Sequence, residues 1–330
     1  MPELRKDPIS HRWVIIAQER ARRPSDFKKT IVDEPPKFDP FAMGNEMKTP
    51  TEIYAVRDPK THPNSPGWRV RVVPNKYPAL GVEGVLDKHG YGIYDFTNGI
   101  GAHEVIIETP DTARDIASYP EQQYRDVLQA YRHRLVDLAR DHRLAYGMLF
   151  KNVGSQAGAS LFHSHSQLIA TPSVPIDIER KMENAAAYYQ FRGRSVFGDM
   201  VRQEIDDAKR LIIETDSFVA FEPYAPRFPF ETWILPKRQR SFFEDCDEIE
   251  FNDLAHILRR TIRLLGKGLG ELPYNMMLFS APFRTHENPA WRWHIEIIPR
   301  LVETAGFEWG TGFYINTVPP EEAADYLKTL

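Results

Sequence analysis

Apolar and polar residues alternate in short bursts along much of the chain, and two longer stretches carry an apolar residue at every third or fourth position. Trp68, Val70 and Val72 stand against Arg69 and Arg71, the two-residue period of a half-buried strand. Similar runs predict strands at 13–17, 51–57, 103–108 and 147–152, several closed by proline or glycine. Tyr124, Val127, Leu128, Tyr131, Leu135 and Leu138 recur at helical spacing, with Ser118 as N-cap and Pro120 in the first turn. That pattern predicts one long helix ending near His142.

The second half repeats the order. A strand is predicted at 230–235, a helix on Ile249, Leu254, Ile257, Leu258, Ile262 and Leu265, and strands at 274–279 and 293–298. Corresponding segments lie 127 residues apart (104 to 231) and 131 apart (165 to 296), a near-constant offset that implies duplication. The predicted fold is α+β, with two tandem units at 1–175 and 176–330 joined around 173–213. Each unit is an antiparallel sheet with one long helix.

The segment LFHSHSQLIA, residues 161–170, is the most unusual of the predicted strands. Side chains two apart share a face, so His163, His165 and Gln167 project together while Phe162, Ser164, Ser166 and Leu168 face the other way. Buried histidines satisfying backbone groups would explain one such residue, but three polar groups on one face give a strand little stability. A metal site would use both imidazoles with Glu104 or His103, although Gln167 is a poor ligand. A nucleophilic site uses every residue: one imidazole attacks, a backbone carbonyl orients it, and Gln167 donates to an oxyanion. The small residues from Gly154 to Ser160 would bring N–H groups and a hydroxyl against a phosphate.

Composition narrows the partners. The 330 residues are 42% apolar and 27% charged, enough for two globular domains. A net charge of −4 argues against nucleic acid or anionic membrane as general partners, so an anionic ligand must be met by local cations. The single Cys246 excludes an internal disulfide and a cysteine-rich zinc site, and no apolar stretch approaches the length of a membrane span. A cytoplasmic protein is expected.

The His-x-His-x-Gln row resembles the active-site motif of the histidine-triad superfamily. The ordered set HRWVIIAQERARRP, RVVPNKYPAL, HEVIIETPD, the stretch from Phe150 to Gln167, FPFETWILPK, SAPF and WRWHIEIIPRL resembles the galactose-1-phosphate uridylyltransferase family along most of the chain. The resemblance implies that His165 forms a covalent nucleotidyl adduct with release of hexose 1-phosphate. It implies phosphoryl contacts from Gln167 and Ser160, and substrate binding by Arg20, Arg23, Asn75, Asn152 and His163. It further implies a homodimer acting on UDP-glucose and galactose 1-phosphate. The alternatives are a nucleotide-sugar or dinucleotide phosphorylase, such as one taking ADP-glucose with phosphate as acceptor, and a non-catalytic nucleotide-binding module. Gln167 adds a chemical argument, because an amide cannot act as acid or base at neutral pH. A sugar-phosphate leaving group, whose second pKa is about 6, departs without protonation. Transfer is therefore favoured over hydrolysis.

The family's zinc ligands correspond to Asp39, Ala42, Thr112 and His163, and those of a second metal to Lys181, Phe279, His294 and Glu296. No metal or other cofactor is expected at either place, and His294 with Glu296 is expected as a structural hydrogen-bonded pair.

Overall fold

The computed structural model describes residues 1–17, 34–113 and 115–330. In chain order the strands are β1 (Glu3–Lys6), β2 (Trp13–Ile16), β3 (Tyr54–Arg57), β4 (Trp68–Pro74), β5 (Lys88–Tyr91), β6 (Tyr94–Thr97), β7 (Ala102–Ile107), β8 (Tyr146–Val153), β9 (His165–Thr171), β10 (Leu211–Glu214), β11 (Phe218–Phe221), β12 (Thr232–Pro236), β13 (Tyr274–Phe279), β14 (His294–Pro299) and β15 (Tyr314–Asn316). The helices are α1 (Glu121–Leu138), α2 (Ile176–Arg192), α3 (Val196–Asp207), α4 (Glu248–Leu269), α5 (Gly306–Thr311) and α6 (Pro320–Lys328).

Ten strands form one antiparallel sheet in the order β10-β11-β12-β14-β13-β8-β9-β7-β4-β3. The two predicted sheets are thus halves of one, sealed where β8 pairs with β13 through Phe150 opposite Met277. The two long helices form as their periodicity requires. Pro120 precedes α1 with extended backbone, and Asp247 caps α4 by accepting from the Ile249 and Glu250 amides while Glu250 returns the bond. Leu128, Tyr131 and Leu135 of α1 and Leu254, Ile257 and Leu258 of α4 are buried against Val72, Ile106, Leu149, Leu168, Leu278 and Ile295 on one face of the sheet. Each such side chain contributes about 1.5–3 kcal/mol on leaving water.

The other face differs between the halves, and this difference makes room for a site. The segment 173–213, expected as a joint, contains α2 and α3. Ile178, Ala185, Phe197 and Val201 of these helices pack with Trp233, Leu235, Phe279 and Trp291, closing the second half. No helix closes the first half in this way among the described residues. A three-stranded sheet β1-β2-β15, with β15 parallel to β2, and the hairpin β5-β6 complete the strands.

A transverse row of paired residues crosses the sheet on this face: Val105, Gln167, Phe150, Met277, Glu296 and Trp233. Gln167 and Glu296 therefore occupy equivalent places about the seam. His294, which opens β14 as His165 opens β9, is the counterpart of His165, because each ring approaches the carbonyl two residues earlier. The sequence reading, which set Glu296 against His165, is shifted by one turn of the strand pleat.

Candidate active site

Strand β9 lies between β7 and β8, so its backbone is hydrogen-bonded on both sides and its side chains are held in fixed directions. Alternation then divides them as expected. Ser164 and Ser166 point to the helix side, where Glu108 accepts from both hydroxyls, from Lys151 and from Tyr131. Burial opposes ionisation of Glu108, but the Lys151 ammonium and these hydroxyls outweigh it and hold the carboxyl below its usual range. This buried cluster pins the strand directly behind the row.

On the open face, His165 is 6% exposed and its Nδ1 lies 2.7 Å from the His163 carbonyl oxygen. A carbonyl only accepts, so Nδ1 carries the proton and Nε2 carries the lone pair. No described residue hydrogen-bonds that Nε2. Burial lowers the pKa of the ring below its ordinary value, which keeps the imidazole neutral near pH 7. The edge of Phe41 packs on it, with ring centroids 5.5 Å apart.

His165, Gln167, Asn75 and Ser160 converge on a cavity of about 440 Å³, which also has Phe41, Lys48, Lys76, Tyr77 and Val105 in its walls. That volume suits a ligand of nucleotide size. A larger cavity of about 720 Å³, walled by Phe162, Ile262, Leu265 and Tyr274, lies on the helix-covered side and contains none of the row. The smaller cavity is the candidate because the chemistry converges there. The loop that brings Ser160 to it turns at Gly154 (φ 81°) and Gly158 (φ 85°), both in the left-handed region where a side chain is strained.

Two expected contacts sit elsewhere. Asn152 lies at the seam, accepting from Asn275 at 2.7 Å, while Asn275 also donates to the Ala157 carbonyl at 2.8 Å and so braces the Gly154–Gly158 turn. His163 is 1% exposed and does not reach the cavity wall. Its Nδ1 is 2.6 Å from Asp39 Oδ2 and its Nε2 2.8 Å from the Thr109 carbonyl. Arg20 and Arg23 lie outside the described residues. Lys48, Lys76, Tyr77 and Phe41 went unnoticed in the sequence as site residues; Lys76 and Tyr77 fall within RVVPNKYPAL, directly after Asn75, which was the available signal.

The residues at the family's metal positions do not fit metal ions. Asp39 accepts from Thr112 at 2.6 Å as well as facing His163. Burial opposes its charge, but the bonds from Thr112, His163 and the Phe41 amide hold its carboxyl below the usual range. With a carboxylate on one side and a carbonyl on the other, both ring nitrogens of His163 are turned to hydrogen-bond partners and neither is directed at a metal position. Ala42 offers no donor atom. At the second place, Lys181 Nζ lies 2.8 Å from Glu296 and 4.3 Å from the Phe279 ring centroid. An ammonium and a phenyl ring are not metal ligands. Glu296 is held well below the usual carboxylate range because Lys181 and Arg227 outweigh its burial. The expected His294–Glu296 hydrogen bond is not made, since Nε2 is 3.5 Å from Glu296, and His294 is instead stacked between Trp233 and Phe279 with Phe197 and Trp291 tilted against it. Among the described residues no group of three histidine, cysteine or acidic side chains is placed to hold a metal ion.

Comparison with known proteins agrees with the geometry. Models of the galactose-1-phosphate uridyl transferase N-terminal and C-terminal domains match residues 1–175 and 181–310. An ADP-glucose phosphorylase from Arabidopsis thaliana is 35% identical over 99% of this chain and 92% of its own length. A galactose-1-phosphate uridylyltransferase from Thermotoga maritima is 28% identical over 99% of this chain and 98% of its own. A crystal structure of an Arabidopsis thaliana ADP-glucose phosphorylase with bound ADP-glucose superposes with a TM-score of 0.84 at 32% identity, covering 100% of this chain and 99% of that one.

Proposed function

Because the chain belongs to the galactose-1-phosphate uridyl transferase family, we propose that it moves a nucleotidyl group from a nucleotide sugar to a phosphate acceptor through a covalent bond to His165. The observation that carries this reading is the Nε2 of His165, which hydrogen-bonds no described residue and stands at the wall of the cavity shared with Gln167, Asn75 and Ser160.

In the first half-reaction Nε2 attacks the α-phosphorus of the nucleotide sugar. The new N–P bond forms as the P–O bond to the sugar phosphate breaks, and the electron pair leaves with hexose 1-phosphate. The positive charge that develops on the ring is shared with the Nδ1–H donated to the His163 carbonyl. Gln167, Ser160 and Asn75 provide donors for the charge on the phosphoryl oxygens. In the second half-reaction a phosphate oxygen of the acceptor attacks phosphorus and frees the ring. Neither step needs a general acid, which is consistent with an amide at 167. Asp39, which accepts from Thr112 and faces His163 Nδ1, and the Thr109 carbonyl, which faces His163 Nε2, hold the entry to β9, and the reaction as written uses no metal.

The family supports UDP-glucose with galactose 1-phosphate as donor and acceptor. A second reading, ADP-glucose with inorganic phosphate, is supported by the higher identity to the Arabidopsis phosphorylase. Exchange of labelled hexose 1-phosphate or phosphate into UDP-glucose and ADP-glucose in parallel separates them. Exchange with neither donor would overturn both.

A homodimer is part of the same reading. The β5-β6 hairpin exposes Tyr91, Ile93, Tyr94 and Phe96, and a two-stranded hairpin needs something to pack against. The single cysteine is buried and unpaired, as suits the cytoplasm, and no described helix is long and apolar enough to cross a membrane.

A further inference from the structure

Gln167 supports nucleotidyl transfer only if its amide turns the right way, and the amide has two faces of opposite character. With its NH₂ toward the cavity it donates to a phosphoryl oxygen. With its C=O there it presents a lone pair to an anion. The side chain alone does not choose between them, since the two ends have nearly the same shape.

His103 supplies the choice. It lies on β7, on the face that also carries Val105, whose pairing partner is Gln167. The backbone N–H of Ala79 points at its Nδ1 from 3.1 Å. A backbone amide can only donate, so Nδ1 is the acceptor and the neutral ring carries its proton on Nε2. That Nε2 is 2.8 Å from Gln167 Oε1. The Nε2–H therefore donates to the Gln167 carbonyl, and the amide NH₂ is left to face the cavity. Tyr77 N–H donates to Asn75 Oδ1 at 2.9 Å and so turns the Asn75 NH₂ toward His103 Nε2 at 3.1 Å; with the proton on Nε2 that contact sets two donors face to face and is not a hydrogen bond, and the shorter contact, to Gln167, takes the Nε2–H. Two backbone N–H groups in the loop after β4 thus set the direction of two amides at the site.

We propose that His103 is a positioning residue: read through the Ala79 amide, its tautomer fixes Gln167 as a hydrogen-bond donor to the transferring phosphoryl group. His103 touches no reacting atom and has no ring nitrogen free for proton transfer. The inference rests on the nucleotidyl-transfer reading given above.

The test is a double-mutant cycle on single-turnover nucleotidylation of His165, with UDP-glucose and ADP-glucose as donors. Losing one preorganised donor to a developing oxyanion slows such steps by about 100-fold to 1,000-fold, and a Gln167 free to turn should lose part of that, about 10-fold to 100-fold. His103→Leu should lower the rate constant by that factor with a much smaller change in half-saturation. His103→Gln, whose side-chain amide reaches the Nε2 position, should recover most of it. In a Gln167→Ala background His103→Leu should cost less than about twofold, because the residue it positions is gone. Full additivity, or equal loss in His103→Leu and His103→Gln, would overturn the proposal in favour of a structural role. Should His103→Leu fail to fold, imidazole ¹⁵N shifts of the unmodified protein, assigned with His103→Gln, still decide: the Nε2–H tautomer is expected, and the Nδ1–H tautomer overturns it. Wild-type protein that forms no adduct with either donor would instead refute the nucleotidyl-transfer reading, leaving the tautomer result to stand by itself.

Discussion

Replacing Lys151 by methionine removes the cation from the cluster that pins β9. Lys151 and Glu108 are 3% and 1% exposed at their side chains, so neither is rescued by solvent. Glu108 would keep Ser164, Ser166 and Tyr131 as donors but lose the charge that most opposes its burial. Breaking a buried pair from one side costs about 3–5 kcal/mol. An unfolding entropy of about 2.1 cal/mol/K per residue gives about 0.7 kcal/mol/K over 330 residues, so Tm should fall by about 4–7 °C at pH 7. The pH dependence has a definite sign. In the wild type the folded carboxyl is depressed below its ordinary 4.5, so its contribution is present above that pH and lost as pH falls through the folded value. In Lys151→Met burial prevails, the folded pKa rises above 4.5, and the penalty grows as pH rises past it. The gap between the proteins should be widest near pH 7 and shrink toward pH 4.5. Thermal unfolding followed by circular dichroism at fixed scan rate reads both effects, and Glu108→Gln added to Lys151→Met should restore at least half of the loss. A shift under 1 °C at pH 7, or a gap that does not narrow in acid, would refute the reasoning.

Three further outcomes follow from the site. The acid limb of kcat/KM should have its midpoint below pH 6.5, because burial lowers the His165 pKa from that ordinary value and attack needs the neutral ring; a pH-rate profile with a midpoint above 6.5 would count against it. Asp39→Asn, which leaves His163 without its carboxylate, should cost about 1–3 kcal/mol in urea unfolding, whereas chelation of the wild type should change neither stability nor exchange rate. Stoichiometric zinc in the purified protein would contradict the second half of that statement. Lys181→Met should destabilise less than Lys151→Met, because Arg227 remains 2.5 Å from Glu296 to hold its charge; equal losses would show that Arg227 does not compensate.

The two long helices and nine of the described strands were legible because each repeats its apolar residues at a period that a packed face enforces, whereas β1, β5, β6, β10, β11 and β15 were not foreseen. Trp68–Pro74, Tyr274–Phe279 and α4 fall within a residue or a few of where alternation and helical spacing put them. The helices α2 and α3 were missed although Pro175 precedes one and Gly193, at φ 69°, ends it. Their buried positions include Lys181, Glu204 and small Ala185, which blur the apolar stripe. At the site, the facing of His165 and Gln167 followed from strand geometry alone. The roles of Asp39 and Ala79 did not. Asp39 meets His163 from 124 positions away, and Ala79 acts through its backbone N–H, which every residue but proline has. The closing of one half of the sheet by α2 and α3, which decides where a cavity remains, is likewise a long-range packing outcome.

The central claim is tested most directly by mass spectrometry of the protein after incubation with UDP-glucose alone and with ADP-glucose alone. One of the two should leave a single nucleoside monophosphate on a peptide containing His165, released again by the acceptor phosphate and absent from His165→Ala. Exchange catalysed by a protein that stays unmodified, or an adduct on another residue, would contradict it.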